Sequence, residues 1–268
     1  MPKTKGLLAS LCATAVATLA PAASAQDVWT IERPGRNQVS ASTIFNSGHV
    51  IALRCSGRQP EVVVIGLPPA TRPETLHASN FARTIEVIVD GRKLPSSLWL
   101  VPSDRTAAFF TNPAALARAL RTGQELTLRI VPESGPATRI VLKLPDDRQG
   151  IEAIFGECGI PLTDPRDEAT DLSAAAKPGD RPLLQWASPP RAEYPPVAQM
   201  NNATEGLAVI SCFAAPNGRL SECRADYAAP AGYGFDEAAL TSMRRARVTP
   251  HEDTSPRPVA FTMRFRLQ

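Results

Sequence analysis

Five cysteines are the residues of this chain whose chemistry depends most strongly on the cellular compartment. Cys12 stands within the first 25 residues, and the other four lie further along the chain. An even number of cysteines in an oxidising compartment is typical of disulfides. The spacing favours pairing Cys55 with Cys158 and Cys212 with Cys223. Four cysteines allow three pairings, and free thiols remain the alternative for the second pair.

The histidines offer little catalytic or metal chemistry. His49, His77 and His251 are scattered, and His251 is expected to be a solvated loop residue. A zinc site needs four converging ligands, and the sequence contains no Cys-x-x-Cys pair near a histidine. It also has no Gly-x-Ser-x-Gly turn, no glycine-rich phosphate loop and no His-Glu-x-x-His pair. We therefore predict no catalytic residue, no metal site and no cofactor.

Two acidic stretches are the remaining candidates for acid and base catalysis. They are Asp146-Asp147 and the stretch from Asp164 to Asp167, and both lie in polar connectors where solvated charge is expected. A periplasmic hydrolase in the first half of the chain is therefore the alternative from a different functional class. A deep pocket holding His49 or His77 beside a carboxylate and a serine would support it.

The first 25 residues have the pattern of a secretory signal. Lys3 and Lys5 form a basic start, residues 6–19 are apolar, and small residues precede Gln26. The pattern predicts cleavage before Gln26 and export to the periplasm. The alternative is an uncleaved anchor, although a membrane-spanning helix needs roughly 20 apolar residues. Membrane association is expected only if this segment is retained.

The charge of the chain argues against nucleic acid as a partner. The formal net charge of the whole chain is +3, and it falls to +1 when Lys3 and Lys5 leave with the signal. No basic stripe with interleaved aromatic residues is present, so nothing in the sequence predicts phosphate binding.

Short strands separated by turn residues dominate residues 26–160, and they predict a β-rich, sandwich-like domain. Helices are expected only at 113–121 and 147–158, the first with Asn112 as N-cap, Pro113 at its first position and Gly123 after its end. The predicted strands cover residues 50–53, 62–65, 85–89, 98–101, 126–130 and 140–144.

Residues 161–191 are rich in Pro, Asp, Ala and Ser and show little periodicity. This composition predicts an extended linker that holds two domains apart and lets them reorient.

A hairpin signal follows the linker, because Asn217-Gly218 separates two strand-like stretches. If these two residues form the turn, Cys212 lies opposite Cys223 and Ala208 lies opposite Tyr227. The disulfide and the apolar face then favour the same register. A wider turn remains open because Pro216 cannot donate a hydrogen bond.

A helix is expected at 236–247 after this hairpin, with acidic residues at its start and arginines at its end. The chain closes with strict apolar and polar alternation over 259–267, which predicts a half-buried strand.

Ordered motifs over the last quarter of the chain resemble the TonB C-terminal domain. They are Tyr-Pro-x-x-Ala, Glu-Gly before the hairpin, Asn-Gly-Arg at the turn, Phe-Asp-x-Ala-Ala-Leu, Arg-x-Arg-Val-x-Pro and a final Pro-Val-x-Phe-x-Met-x-Phe-x-Leu. The matching residues are Tyr194, Pro195, Ala198, Glu205, Gly206, Gly218, Arg219, Phe235, Asp236, Ala238, Ala239, Leu240, Arg245, Arg247, Val248, Pro250, Pro258, Val259, Phe261, Phe265 and Leu267.

This resemblance implies a small α+β domain over residues 192–268, with a three-stranded antiparallel sheet and helices on one face. It also implies a non-enzymatic protein-binding role, in which an extended partner segment adds to a sheet edge. The implied partner is the TonB box of an outer-membrane transporter. Our candidate edge is the final strand, with partner-binding residues Val259, Phe261, Met263, Arg264, Phe265 and Arg266.

Several alternatives stay open at this stage. Arg264 and Arg266 either steer an acidic partner segment or only keep the sheet edge from aggregating. The chain is either a soluble periplasmic adaptor or, if its start is retained as an anchor, an energy transducer. The long Glu-Pro and Lys-Pro spacer of transducers is missing, which favours the adaptor. A homodimer through the same edge is also left open.

Overall fold

The structure is a computed structural model that describes residues 28–70, 74–77, 80–95, 98–102, 106–130, 136–173 and 184–267. The predicted signal at 1–25 lies outside the described residues. The side chain of His77 is not among the described side chains.

The N-terminal part of the described chain contains eleven strands and two helices. The strands are β1 (Thr30–Gly35), β2 (Gln38–Ile44), β3 (Val50–Ser56), β4 (Gln59–Ile65), β5 (Glu74–His77), β6 (Asn80–Val89), β7 (Arg92–Lys93), β8 (Leu98–Val101), β9 (Ala107–Phe110), β10 (Glu125–Ile130) and β11 (Thr138–Lys143). The helices are α1 (Pro113–Thr122) and α2 (Gln149–Cys158). All six strands predicted in this region are present.

These strands form one continuous sheet of eleven strands, and the predicted sandwich-like fold is wrong. The order is β1-β2-β3-β4-β9-β8-β6-β10-β11, with β5 and β7 also paired to β6. The ten-residue strand β6 connects the strands on its β8 side with those on its β10 side. Its first half, from Phe81 to Thr84, pairs with β8, and its second half, from Ile85 to Val89, pairs with β10. The apolar pattern of the sequence predicted only the second half of β6. Without the first half, the strands were expected to form two separate sheets.

Helix α1 begins and ends where its capping residues predict. The Asn112 side chain accepts a hydrogen bond from the N–H of Ala115, and Pro113 occupies the first turn. The N–H of Gly123 donates to the carbonyl of Ala119 at the other end. Together with α2, this helix covers the apolar side chains of β2, β3 and β4. The disulfide Cys55–Cys158 ties α2 to β3.

The C-terminal part of the described chain begins inside the predicted linker. Its elements are a 3₁₀ helix (Pro165–Glu168), β12 (Thr170–Asp171), β13 (Trp186–Ser188), α3 (Pro196–Met200), β14 (Glu205–Ala214), β15 (Leu220–Ala229), α4 (Phe235–Met243), β16 (Arg247–Val248) and β17 (Arg257–Arg266).

The predicted three-stranded antiparallel sheet is also wrong, because the sheet has four strands. Its order is β12-β17-β14-β15, and β12 runs parallel to β17. A separate two-stranded sheet joins β13 and β16. An open strand edge carries unpaired backbone groups, and residues of the predicted linker pair with them here. Helix α4 ends at Met243, four residues earlier than predicted, and Arg247 and Val248 form β16.

The predicted hairpin register is present only at its centre. Ile210 lies opposite Ala225, and the disulfide Cys212–Cys223 joins the two strands, as the spacing favours. The turn is wider than two residues, because the N–H of Gly218 donates to the carbonyl of Ala215. Register shifts occur on both sides of the centre, so Tyr227 lies opposite Val209 instead of Ala208.

The two parts of the chain pack directly against each other, and the predicted linker does not hold them apart. Strand β14 is buried on both faces, because Leu207 and Val209 pack against Ala82 and Leu98 of the N-terminal sheet. The bulge in β15 places Tyr227 in this same cluster. A strand that is buried on both faces needs apolar residues at nearly every position, and the sequence of β14 has them.

Candidate protein-interaction edge

Strand β17 is regular in its pairing, which suits it to accept another strand. It pairs with β14 over ten residue pairs without a register shift. The opposite edge strand, β15, has two register shifts, and Glu222 has a positive φ of 48°. Bulges of this kind hinder further strand pairing. Beyond the two residues that β12 covers, β17 is therefore a better acceptor than β15.

The chain itself already occupies part of the β17 edge. Thr170 pairs with Val259, and Asp171 pairs with Ala260. The N–H of Leu172 donates to the carbonyl of Ala260 over 2.8 Å. Backbone pairing stops there among the described residues.

The next edge-facing donor of β17 is bound by a side chain. The N–H of Thr262 donates to the hydroxyl of Ser173 over 2.6 Å. Successive residues of a strand point their backbone groups to opposite sides, so every second residue from Ala260 onward turns its amide toward this edge. The second half of β17 therefore presents the backbone groups of Arg264 and Arg266 to this side.

A groove of about 580 Å³ lies beside residues 261–264 of β17. Its floor includes Phe261 and Met263, and Trp186 forms a wall with its ring edge-on to Phe261, the centroids 5.1 Å apart. The remaining lining residues are Thr84, Leu98, Asp171, Leu172, Ser173, Pro189, Pro190, Thr262 and Arg264. An extended peptide fits such a site, because the strand edge offers backbone pairing while the aromatic and proline wall offers apolar contact.

The six predicted partner-binding residues divide into two groups. Val259, Phe261 and Phe265 are buried toward α4, and Met263 packs against the same core. Of these four residues, Phe261 and Met263 line the groove, whereas Val259 and Phe265 do not. The residues with polar side chains are Arg264 and Arg266, and the structure does not test the partner role predicted for any of the six.

The two arginines differ in their surroundings. The Nε of Arg266 lies 3.0 Å from a carboxylate oxygen of Glu205 on β14, which makes a surface ion pair. Arg264 lines the groove, and burial together with the positive charge of Arg266 lowers the pKa of its guanidinium. The ion pair of Arg266 with Glu205 thus offsets part of the basic charge at this edge.

A second cluster of functional interest lies at the junction of the two parts, and sequence reasoning missed it. Asp164 and Asp167 were expected to be solvated, but Asp164 is only 9% exposed. The guanidinium of Arg118 on α1 donates to both oxygens of Asp167 over 2.6 and 2.7 Å. Arg224 on β15 lies 2.7 Å from Asp164. The spacing of these residues in the sequence gave no signal, because the partners are 40 or more residues apart.

The charged groups of this junction lie within ion-pair distance of one another. Burial alone would raise the pKa of Asp164, but the N–H of Arg166 and the guanidinium of Arg224 donate to the carboxylate. With the nearby charge of Arg118, these contacts bring the pKa of Asp164 below its usual value. Arg166 also lies over the ring of Phe213 at 4.4 Å. The junction therefore acts as an ionic clamp, defined here by Arg118, Asp164, Arg166, Asp167 and Arg224.

The histidine predictions have a mixed outcome. The side chain of His251 is only 5% exposed, and its Nε2 lies 3.1 Å from the carbonyl oxygen of Ala214. The prediction of a solvated loop histidine is therefore wrong, because the loop after α4 folds back onto the end of β14. His49 lies at the surface, 2.8 Å from the hydroxyl of Ser47.

In the part of the chain that the structure describes, none of the helices has the length and apolar character of a membrane span. No group of three or more His, Cys, Asp or Glu side chains is arranged to hold a metal ion in that same part.

Comparison with known proteins gives a weak structural similarity. No protein-family model and no curated protein matches this chain. The solution structure of the Pseudomonas aeruginosa TonB C-terminal domain aligns with a TM-score of 0.26 at 18% identity, covering 34% of this chain and 90% of that one. A similarity at this TM-score carries no argument about fold or function.

The two disulfides are typical of proteins from oxidising compartments such as the periplasm.

Proposed function

We propose that this chain is a non-enzymatic, extracytoplasmic protein-binding module that takes up an extended partner segment along β17. The observation that carries the proposal is the groove beside this strand, at an edge that already accepts a parallel strand from the chain itself. Backbone groups of the edge would supply affinity, and the aromatic and proline wall would select side chains of the partner.

The kind of partner follows from the charge and shape of the edge. Arg264 lines the groove and Arg266 follows it on the same strand face, so an acidic extended segment is favoured. The sequence resemblance described above motivates a segment of an outer-membrane transporter as the partner.

If the first 25 residues are retained as an anchor, the alternative is an energy transducer. N-terminal sequencing of the exported protein separates the two, because a chain that starts at Gln26 cannot be anchored by its own start.

Peptide selection followed by amide hydrogen exchange tests the proposed site. Nine-residue random peptides displayed on phage are selected against the mature protein, and the best are synthesised. We expect them to slow exchange of the amides in the second half of β17. Peptides that slow exchange only elsewhere, or a selection that yields no binder, would contradict the proposal.

A matched pair of variants identifies backbone pairing as the source of affinity. Thr262→Pro removes an N–H that faces the edge, and proline is tolerated at such edge positions. Thr262→Val keeps the N–H and nearly the same shape. We expect the proline variant to weaken peptide binding at least about tenfold and the valine variant to bind as the unmodified protein does, since one buried hydrogen bond contributes roughly 0.5–1.5 kcal/mol and a proline also displaces the neighbouring pair. Circular dichroism and thermal unfolding check that both variants fold.

A further inference from the structure

We infer that the segment Thr170–Ser173 is an internal ligand of β17 and that a partner strand must displace it in order to bind. This inference rests on the proposed function. It adds that the interaction surface is regulated by the chain's own connector. The partner is accordingly an extended acidic polypeptide that runs parallel to β17, as this segment does.

The first argument is the position of the segment. It pairs with Val259 and Ala260, and the Ser173 hydroxyl accepts the hydrogen bond of the next edge-facing amide, that of Thr262. A side-chain oxygen thus stands where the carbonyl of a longer strand would stand. While the segment is bound, the edge-facing positions of β17 beyond Ser173, among the described residues, are those of Arg264 and Arg266. Without it, the edge-facing positions run from Ala260 to Arg266, which is enough for a strand of ordinary length.

The second argument is that the backbone pairing between the segment and β17 is short. Two residue pairs and the Leu172 N–H bond join it to the strand, the Leu172 side chain packs against the core of the C-terminal part, and the following hydrogen bond is made by the Ser173 hydroxyl. Its N-terminal side is held differently, because the ionic clamp fixes Asp164 and Asp167 between the two parts of the molecule. The segment can therefore leave β17 while the clamp keeps it nearby, as a competitor that rebinds when the partner leaves.

The third argument is chemical similarity to the expected partner. Asp171 in β12 lines the groove together with Arg264, whereas the nearby Asp167 and Glu168 pair with Arg118 and Arg92 of the N-terminal part. An acidic, extended sequence is what the basic edge favours in a partner. The internal segment and the partner would then compete for the same surface by the same interactions.

A synthetic peptide with the sequence of residues 167–174, labelled with a fluorophore, tests the competition. A tethered segment has an effective concentration in the millimolar range, so the free peptide should not bind the unmodified mature protein below about 1 mM. Leu172→Pro removes the N–H that donates to Ala260 and releases the internal copy. We expect this variant to bind the peptide at least about tenfold more tightly, with slowed exchange of the Thr262 amide.

Two milder variants guard against misfolding as the explanation. Ser173→Ala removes only the hydroxyl that accepts from Thr262, and we expect a gain in affinity of about threefold. Ser221→Ala makes the same substitution on β15, at the opposite edge of the sheet, and should leave binding unchanged. Thermal unfolding shows whether each variant is folded at the temperature of the assay.

The outcomes separate the inference from the proposed function. If library-selected peptides protect β17 with the same Kd in the unmodified protein and in Leu172→Pro, the internal segment is no competitor, while the proposed function stands. If the release variants bind more weakly, the segment is part of the binding site and the inference is wrong. If no peptide protects β17 in any variant, the proposed function itself fails.

Discussion

Arg118 shows how a single side chain can join two parts of a chain. It projects from α1, is 5% exposed, and donates two hydrogen bonds to Asp167 in the 3₁₀ helix. A buried charge is tolerated only when its hydrogen-bonding groups are matched, and the planar guanidinium matches a carboxylate in this geometry. The helix pattern alone would place an arginine of α1 in solvent.

Removing this arginine should destabilise the protein strongly. Arg118→Met keeps much of the apolar stem but leaves Asp164 and Asp167 with less compensation in a buried site, so we expect a loss of about 3–5 kcal/mol in the free energy of unfolding. Urea denaturation measures it. The matched control is Arg54→Met, whose ion pair with Glu61 is about half exposed on both sides, and its loss should stay below about 1 kcal/mol. Equal losses would mean that the clamp contributes no more than a surface ion pair.

At the scale of single elements, β14 explains the Glu-Gly motif before the hairpin. Gly206 faces the ring of Phe235 at the start of α4, and an added Cβ would lie 2.3 Å from that ring. The helix can therefore approach the sheet only where the strand has no side chain. Gly156 in α2 is the opposite case, because an added Cβ would meet nothing within 4 Å.

Alanine at these two glycines should have opposite effects on stability. Gly206→Ala forces Phe235 and α4 away from the sheet, and we expect a loss of about 1–3 kcal/mol. Gly156→Ala lies in a helix with free space and should gain roughly 0.5–1 kcal/mol. Thermal unfolding of both variants compares them directly. A neutral Gly206→Ala would show that α4 can shift without cost, contrary to the close packing described here.

At the scale of the whole molecule, Tyr227 reports on the junction between the two parts. It packs in the cluster that contains Leu98 and Val209, one from each part. Burial, and to a lesser extent the negative charge of Glu61, raises the pKa of Tyr227 to about 12. The fold therefore favours the neutral phenol.

Stability should fall in alkaline solution as a consequence. The unfolded phenol has a pKa of about 10, so the contribution of Tyr227 is fully present below that pH and is lost as the pH rises toward about 12. The loss should reach about 1.4 kcal/mol at about pH 11, since one pKa unit corresponds to that free energy. Urea denaturation across this pH range should show the loss in the unmodified protein and a smaller one in Tyr227→Phe. If the free energy of unfolding falls equally with pH in both proteins, the Tyr227 side chain is solvated in the folded state.

The two disulfides should contribute unequally to stability. Cys55 and Cys158 are 103 residues apart, whereas Cys212 and Cys223 are 11 apart. On the chain-entropy model, the longer loop is worth about 5 kcal/mol and the shorter about 3 kcal/mol. Replacing each pair by alanine and measuring the free energy of unfolding tests the order. A larger loss at Cys212–Cys223 would contradict the entropic account.

Local patterns in the sequence determined the elements whose stabilisation is local. The caps of α1, the strand β8 and the alternation of β17 depend on neighbours along the chain, so residue types within a few positions were enough to predict them. The disulfide pairing also followed from spacing, because the cysteines in each pair belong to one part of the molecule.

The tertiary structure alone decided how these elements combine. The first half of β6 joins what were expected to be separate sheets, and Thr170–Asp171 of the predicted linker becomes a fourth strand beside β17. The burial of Asp164 and His251 depends on partners that are distant in the sequence. Strand edges and buried charges are stabilised by groups that are distant in the sequence. The local sequence does not specify which distant group will reach them.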